Sequence, residues 1–331
     1  MPDATKSEIS IIGRDFRKMS SLPAQITGIF ARPKNLIQAT RDFDRRRLTE
    51  QELEQVRQAA VKEIIALQEG FEYVTDGNLL WQDLFRPFTK GVGIVAGPLT
   101  RFFETNTFFR RPIILQPLKF RPREIDKFFY FELLPHNRKV ILPGPFTFLH
   151  LSENRYYKKD FIIAIAKMLK GVVRHLVQKG VMAIQFSEPY IAYFGKNLTK
   201  HKLANAKRAY QIIAEGKGKA EIILATYFGD FSPVTQLLEF PIDSIVIDLT
   251  STSVKNLRFK TTKKIGLGCI DATNSLLENP KVTIKLVNDL IKRLKLKRFF
   301  ICPNCDLDFL PYSVAEKKTA ILRAVAYEFK S

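Results

Sequence analysis

Short apolar runs that stop abruptly at polar or special residues recur along the chain, with amphipathic stretches between them. The runs at 26–30, 71–74, 139–142, 181–186, 222–226, 244–247, 264–269 and 299–302 have the length and character of buried parallel strands. The clearest helix is expected over 48–70. Thr49 and Glu52 make a capping box, Leu53, Val56, Ala60, Ile64 and Leu67 recur at helical spacing, and Gly70 ends it. Further helices are expected over 160–179, 201–215, 280–295 and 313–329. Eight strands with helices between most of them predict an α/β fold, a single (β/α)8 TIM barrel over 24–331, after a polar N-terminal arm over 1–23.

The stretch 78–123, inserted after the second strand, breaks this alternation. It is dense in aromatics and arginine and reads as an excursion over the barrel mouth, partly a hairpin. In such barrels sites form at the C-terminal ends of the strands. Here those ends carry Asp76, Gly144, Glu188, Tyr227, Asp230, Asp248, Asp271, Asn274 and Cys305. Asp76, Glu188, Asp230 and Asp248 are the candidates for acid/base work, although carboxylates in these places also close turns and cap helices. Arginine forks suit carboxylates or phosphates, and aromatic faces suit a pterin or a base. Lys34, Trp81, Arg86, Arg101, Asn106 and Arg111, with Tyr227, Asp271 and Asn274, are therefore the candidate substrate-binding residues. The same Arg/aromatic composition also suits a protein interface.

Composition narrows the function without naming it. The 331 residues are 46% hydrophobic and 26% charged, enough for a large core. No apolar run is long enough to span a bilayer and the first residues lack an export pattern, so a cytoplasmic location is expected. Three cysteines argue against a disulfide framework. The net charge of +20 gathers partly at 45–47, 255–264 and 292–298. No nucleic-acid-binding motif accompanies it, so these read mainly as solvated faces, with non-enzymatic polyanion binding as the alternative. Cys302-x-x-Cys305 could be half a zinc knuckle, but the chain holds only Cys269 and four scattered histidines to complete it.

The strand ends LQEGFEYVTDG, ILPGPFTFL, IQFSEPYIAYFG, LATYFGDF, GLGCIDATN and CPNCDLDFLP together resemble, over about 24–329, cobalamin-independent methionine synthase. The resemblance is strongest to the N-terminal of that family's two barrels, in a stand-alone, archaeal-type form. It implies a part in methyl transfer from a methyl-tetrahydrofolate or related methyl-pterin to homocysteine. In the catalytic barrel a His-x-Cys pair binds zinc; those positions fall on Ala225 and Tyr227 here, which are not such ligands. The glutamate ligand falls near Asp248 and the last cysteine ligand near Cys305. Glu188 stands in the family's Asp-Glu-Pro motif, whose Asp is Ser187 here. The resemblance thus implies a chain without its own zinc, working with a separate zinc-bearing catalytic barrel. The alternative is an autonomous methyltransferase with another methyl donor or thiol.

Overall fold

The computed structural model describes residues 22–329. The arm expected over 1–23 lies outside them except for its last two residues. Six parallel strands make the main sheet: β3 (Lys139–Pro143), β5 (Ala183–Ser187), β6 (Glu221–Thr226), β7 (Ser244–Asp248), β8 (Lys264–Ile270) and β9 (Phe299–Pro303), in that spatial order. Nearly every residue in them is buried, as a parallel sheet covered on both faces requires. Alternate side chains go to opposite faces. Ala183, Ile223, Ala225, Val246, Phe300 and Cys302 meet on one face with Tyr73, while Ile222, Leu224, Ile245, Ile247 and Ile265 join the main core on the other.

The regular strands expected at 26–30 and 71–74 do not form. Residues 26–30 pair with no strand, the single bridge on that side being Ala24 to Ile301 just ahead of them, and 71–74 keeps only the bridge from Val74 to Arg138. Gly28 explains the first. Its φ is +69°, and a Cβ there would stand 2.1 Å from Asp306 Oδ1, so the chain turns away from the sheet as soon as it has paired. Backbone bonds nonetheless continue from both sheet edges. Ile301 N donates to Pro23 O and Gln25 N to Ile301 O; Glu72 N donates to Ala24 O; Val74 N donates to Asn137 O and Lys139 N to Val74 O.

The helices fall where the apolar periodicity puts them. α2 (Glu50–Leu67) starts at Thr49 in a complete capping box, Glu52 N donating to Thr49 Oγ1 (3.2 Å) and Thr49 N to Glu52 Oε2 (2.8 Å). α4 (Phe161–Gln178), α6 (Lys200–Ala214), α7 (Pro280–Leu294) and α8 (Tyr312–Glu328) follow. Sequence reading missed α1 (Lys34–Asp44) and the short helices α3 (Pro145–Leu151) and α5 (Pro189–Phe194), which follow strands directly. No helix among the described residues is long and apolar enough to cross a membrane.

The excursion contains a long antiparallel hairpin, β1 (Val92–Arg101) and β2 (Phe108–Lys119). β2 also pairs with the two-residue strand β4 (Glu153–Asn154), which leaves β1 at the edge of this second sheet. The hairpin turn is braced from within. Phe102 N donates to Thr107 O (3.0 Å), Thr105 Oγ1 to Phe102 O (2.6 Å) and Arg101 Nε to Thr105 O (2.5 Å).

Candidate functional site

The C-terminal ends of the sheet strands converge under this hairpin turn. Phe102 stacks on Phe309, beyond β9, with ring centroids 6.1 Å apart. Phe103 meets Phe228, beyond β6, at 5.3 Å and the α5 tyrosines Tyr190 and Tyr193 at 5.4 and 5.2 Å. Phe103 and Phe228 both have positive φ, +50° and +64°. A bulky side chain rarely adopts that conformation, and here these two phenylalanines meet each other where the roof touches the mouth.

Beneath the roof the strand-end side chains are buried and bonded to one another. Glu188 is fully buried. Its carboxylate accepts from Phe146 N (2.8 Å), Thr147 N (2.7 Å), the Thr147 hydroxyl (2.7 Å) and the Tyr210 hydroxyl (3.2 Å). Phe146 and Thr147 open α3, so Glu188 caps that helix from the neighbouring strand. A Cβ on Gly144 would lie 2.1 Å from Glu188 Cδ, which is why the backbone there is bare. Burial pushes the Glu188 carboxyl up to about 7 against the pull of those donors.

Asp248 closes the turn after β7. It accepts from Thr250 N (2.9 Å), the Thr250 hydroxyl (2.6 Å), Ser251 N (3.2 Å) and Asn304 Nδ2 (3.2 Å) on one oxygen, and Phe228 N (3.3 Å) on the other. Asp230 accepts from Ser232 N (2.9 Å), at the start of the following helical turn. Asp76 accepts from Asn78 N (2.9 Å) and Tyr130 N (3.3 Å), and burial raises it to about 6. All four carboxylates thus close turns or cap helices. Asp271 does the same in its loop, accepting from Thr273 N (2.8 Å) and bonding Asn274 Nδ2; Asn274 itself is exposed.

The substrate-binding candidates scatter. Asn106 lines an open cleft of about 380 Å³ beside the roof, together with Phe103, Glu104, Tyr193, Phe228 and Phe309. Arg111 lies near Tyr190, and its Nε has no partner among the described residues. Arg101 is spent on the hairpin turn. Arg86 is half-buried beside Asp83, and Lys34 is exposed at the start of α1. Trp81 corrects the expectation of an exposed stacking face. It is fully buried, packed edge-on against Phe88 and Phe128 and tilted against Phe129, as part of the main core that the excursion extends. Cys305 is likewise buried rather than on the rim.

Sequence reasoning passed over two buried charged groups. Asp306 accepts from Ile29 N (2.6 Å), and burial lifts it to about 6. Lys139 Nζ is fully buried with amide and carbonyl oxygens as partners, Gln25 Oε1 and Gln185 Oε1 (both 3.2 Å) and Ile26 O, and burial lowers it to about 8. The only sequence signal for either was a charge inside an apolar strand or at its end.

The zinc positions do not fit a zinc site. Ala225 has no donor atom. Burial and the nearby Asp306 hold the Tyr227 phenol well above its ordinary value, so it stays protonated. The Cys305 thiol is raised in the same way by burial and by Asp306, Asp248 and Asp271. Among the described residues no three His, Cys, Asp or Glu side chains are grouped to hold a metal ion.

Comparison with known proteins gives a consistent picture. Residues 66–295 match the family model described as cobalamin-independent synthase, N-terminal domain. A methionine synthase of Sulfurisphaera tokodaii is 25% identical over 313 residues, 90% of this chain and 89% of that protein. The 5-methyltetrahydropteroyltriglutamate–homocysteine methyltransferase of Bacillus cereus is 28% identical over 251 residues, 70% of this chain but 32% of that protein. The structure of a B12-independent methionine synthase from Shewanella sp. W3-18-1, in complex with selenomethionine, superimposes with a TM-score of 0.73 at 20% identity, covering 92% of this chain and 97% of that one.

Proposed function

The chain belongs to the family of the cobalamin-independent synthase N-terminal domain, and from that premise we propose that it is the zinc-free half of a split methionine-synthase-type methyltransferase. In this reading it is a cytoplasmic protein that helps to hold a methyl-tetrahydrofolate or related methyl-pterin. A separate zinc-bearing catalytic barrel activates homocysteine as the thiolate. The sulfur attacks the methyl carbon, the carbon–nitrogen bond breaks, and its electron pair returns to the pterin nitrogen, which takes up a proton. We also read the main sheet as a barrel closed by the irregular segments at 23–25 and 71–74, whose backbone bonds bridge its two edges.

The observation that carries this reading is the state of the mouth. Glu188, Tyr227, Asp248 and Cys305 are at most 1% exposed beneath the hairpin roof, and the two carboxylates are engaged by neighbouring donors, which suits support rather than turnover. The aromatic cleft beside Asn106 is where a flat ring can reach the chain from outside. Asp271 and Asn274, on the loop that contributes Thr273 to that cleft, and Arg111, near Tyr190, are the polar groups proposed to meet the ligand.

The test is methionine formation from homocysteine and methyl-tetrahydrofolate by the chelator-washed chain, alone and with a purified zinc-bearing catalytic barrel. Zinc content is measured on the same sample. The reading expects less than roughly a tenth of an equivalent of zinc and turnover only with the partner. Stoichiometric zinc, or turnover by the chain alone, overturns it. The second reading, an autonomous methyltransferase, draws its support from the Sulfurisphaera methionine synthase, whose length this chain nearly matches. Turnover alone would establish it.

A further inference from the structure

A second surface, away from the mouth, has the form of a binding site. At the base of the hairpin, where β1 begins and β2 ends, a groove of about 840 Å³ runs between the hairpin and the first half of α4. Four cationic side chains line it, Lys119 and Arg121 from the hairpin side, Lys159 before α4 and Lys167 on it, against one acid, Asp160. All four are exposed, and none is in an ion pair or a side-chain hydrogen bond among the described residues. Unpaired exposed cations are ordinary one at a time. Four around one apolar channel are not.

The floor of the groove is apolar. Val92 (59% exposed) and Leu118 come from the hairpin, and Ile163 and Met168 from α4. Its two aromatic rings already have neighbours: Tyr157 is stacked on Phe161, and Phe120 packs against Phe88. No free aromatic face is offered for a nucleobase to stack on. An occupant that satisfies both walls and floor is therefore anionic and carries aliphatic side chains.

Charge removes the nearer candidates. Residues 1–21 hold four cationic side chains against three acidic ones, and a second copy of a chain with net charge +20 meets this surface with the wrong sign. We propose that the groove is a docking site for an acidic segment of a partner protein in which carboxylates alternate with aliphatic residues. The carboxylates pair with Lys119, Arg121, Lys159 and Lys167, and the aliphatic residues cover Val92 and Leu118. This site is independent of the methyl-transfer reading.

The experiment titrates the full chain into a fluorescein-labelled peptide of alternating Glu and Leu, read by anisotropy. A polyglutamate peptide of the same length and a single-stranded oligonucleotide of the same charge serve as comparators. The Glu-Leu peptide is expected to bind more tightly than either by about tenfold or more. The Lys119→Glu/Lys167→Glu variant should lose about tenfold of that affinity, and Val92→Ser a smaller share, with unchanged melting temperatures because all three side chains are exposed. Equal binding of polyglutamate or of the oligonucleotide would reduce the groove to a general polyanion surface and overturn the proposal. So would wild-type affinity in the double variant, or no binding by any of the three probes.

Discussion

Glu188 separates a catalytic mouth from a structural one, and Glu188→Gln tests which this is. The carboxyl is fully buried and pushed from its ordinary 4.5 up to about 7, with burial as the largest cause. Below about pH 4.5 the group is protonated in both the folded and unfolded chains and its titration does not affect stability. As pH rises toward 7 the unfolded chain releases the proton while the folded chain keeps it, so stability falls throughout that window. At about 1.4 kcal/mol per pH unit, the loss between about pH 5 and about pH 8 comes to roughly 2 to 3 kcal/mol. Glutamine occupies the same volume, keeps one acceptor oxygen for Thr147, and does not titrate.

Other raised carboxylates, Asp76 and Asp306 among them, have the same sign but are common to both proteins and cancel in the difference. Urea unfolding of the two proteins at several pH values, followed by the fluorescence of the single, fully buried Trp81, gives that difference directly. The stability of the native chain relative to Glu188→Gln should fall by roughly 2 to 3 kcal/mol from about pH 5 to about pH 8. A flat difference would mean that Glu188 titrates in the folded chain as it does in the unfolded one, and a difference that rises with pH would mean that the Phe146 and Thr147 donors outweigh burial. Either result would refute burial as the dominant influence on this carboxyl.

Three further outcomes follow from the same geometry. Gly28→Ala places a Cβ 2.1 Å from Asp306 Oδ1 at a φ of +69°. It should cost roughly 2–4 kcal/mol in chemical denaturation, and a neutral result would show that the turn beside Asp306 yields. Lys318 is fully buried and pairs with Glu278 at 2.6 Å. Lys318→Met strands that carboxylate at a cost of about 3–5 kcal/mol, and adding Glu278→Gln should restore much of it; a double variant no better than the single one would refute the pairing as the cause. The thiols of Cys269, Cys302 and Cys305 are all buried and free, and burial raises each of them. A disulfide reagent at mildly alkaline pH should leave the native chain unmodified on the time scale in which the urea-unfolded chain reacts at all three. A fast-reacting native thiol would contradict the covered mouth.

The sequence by itself determined the alternation of strands and helices and the family. Apolar runs and helical periodicity are local consequences of burial, and Thr49 with Glu52 states where α2 begins with no help from the rest of the chain. The motifs at the strand ends were legible for the same reason, since they are contiguous. Tertiary structure alone decided what those strand-end residues do. A carboxylate at 188 reads as an acid/base candidate until Phe146 and Thr147, some forty residues away, are seen to spend its acceptors. Trp81 reads as a binding face until Phe88, Phe128 and Phe129 are seen to close around it. Residues 26–30 read as a strand, but Asp306, 278 positions beyond Gly28, fills the space beside that glycine and takes the Ile29 N–H. Each reversal has one physical origin: hydrogen bonding and burial are properties of pairs of residues distant along the chain, and a local pattern holds no record of its partner.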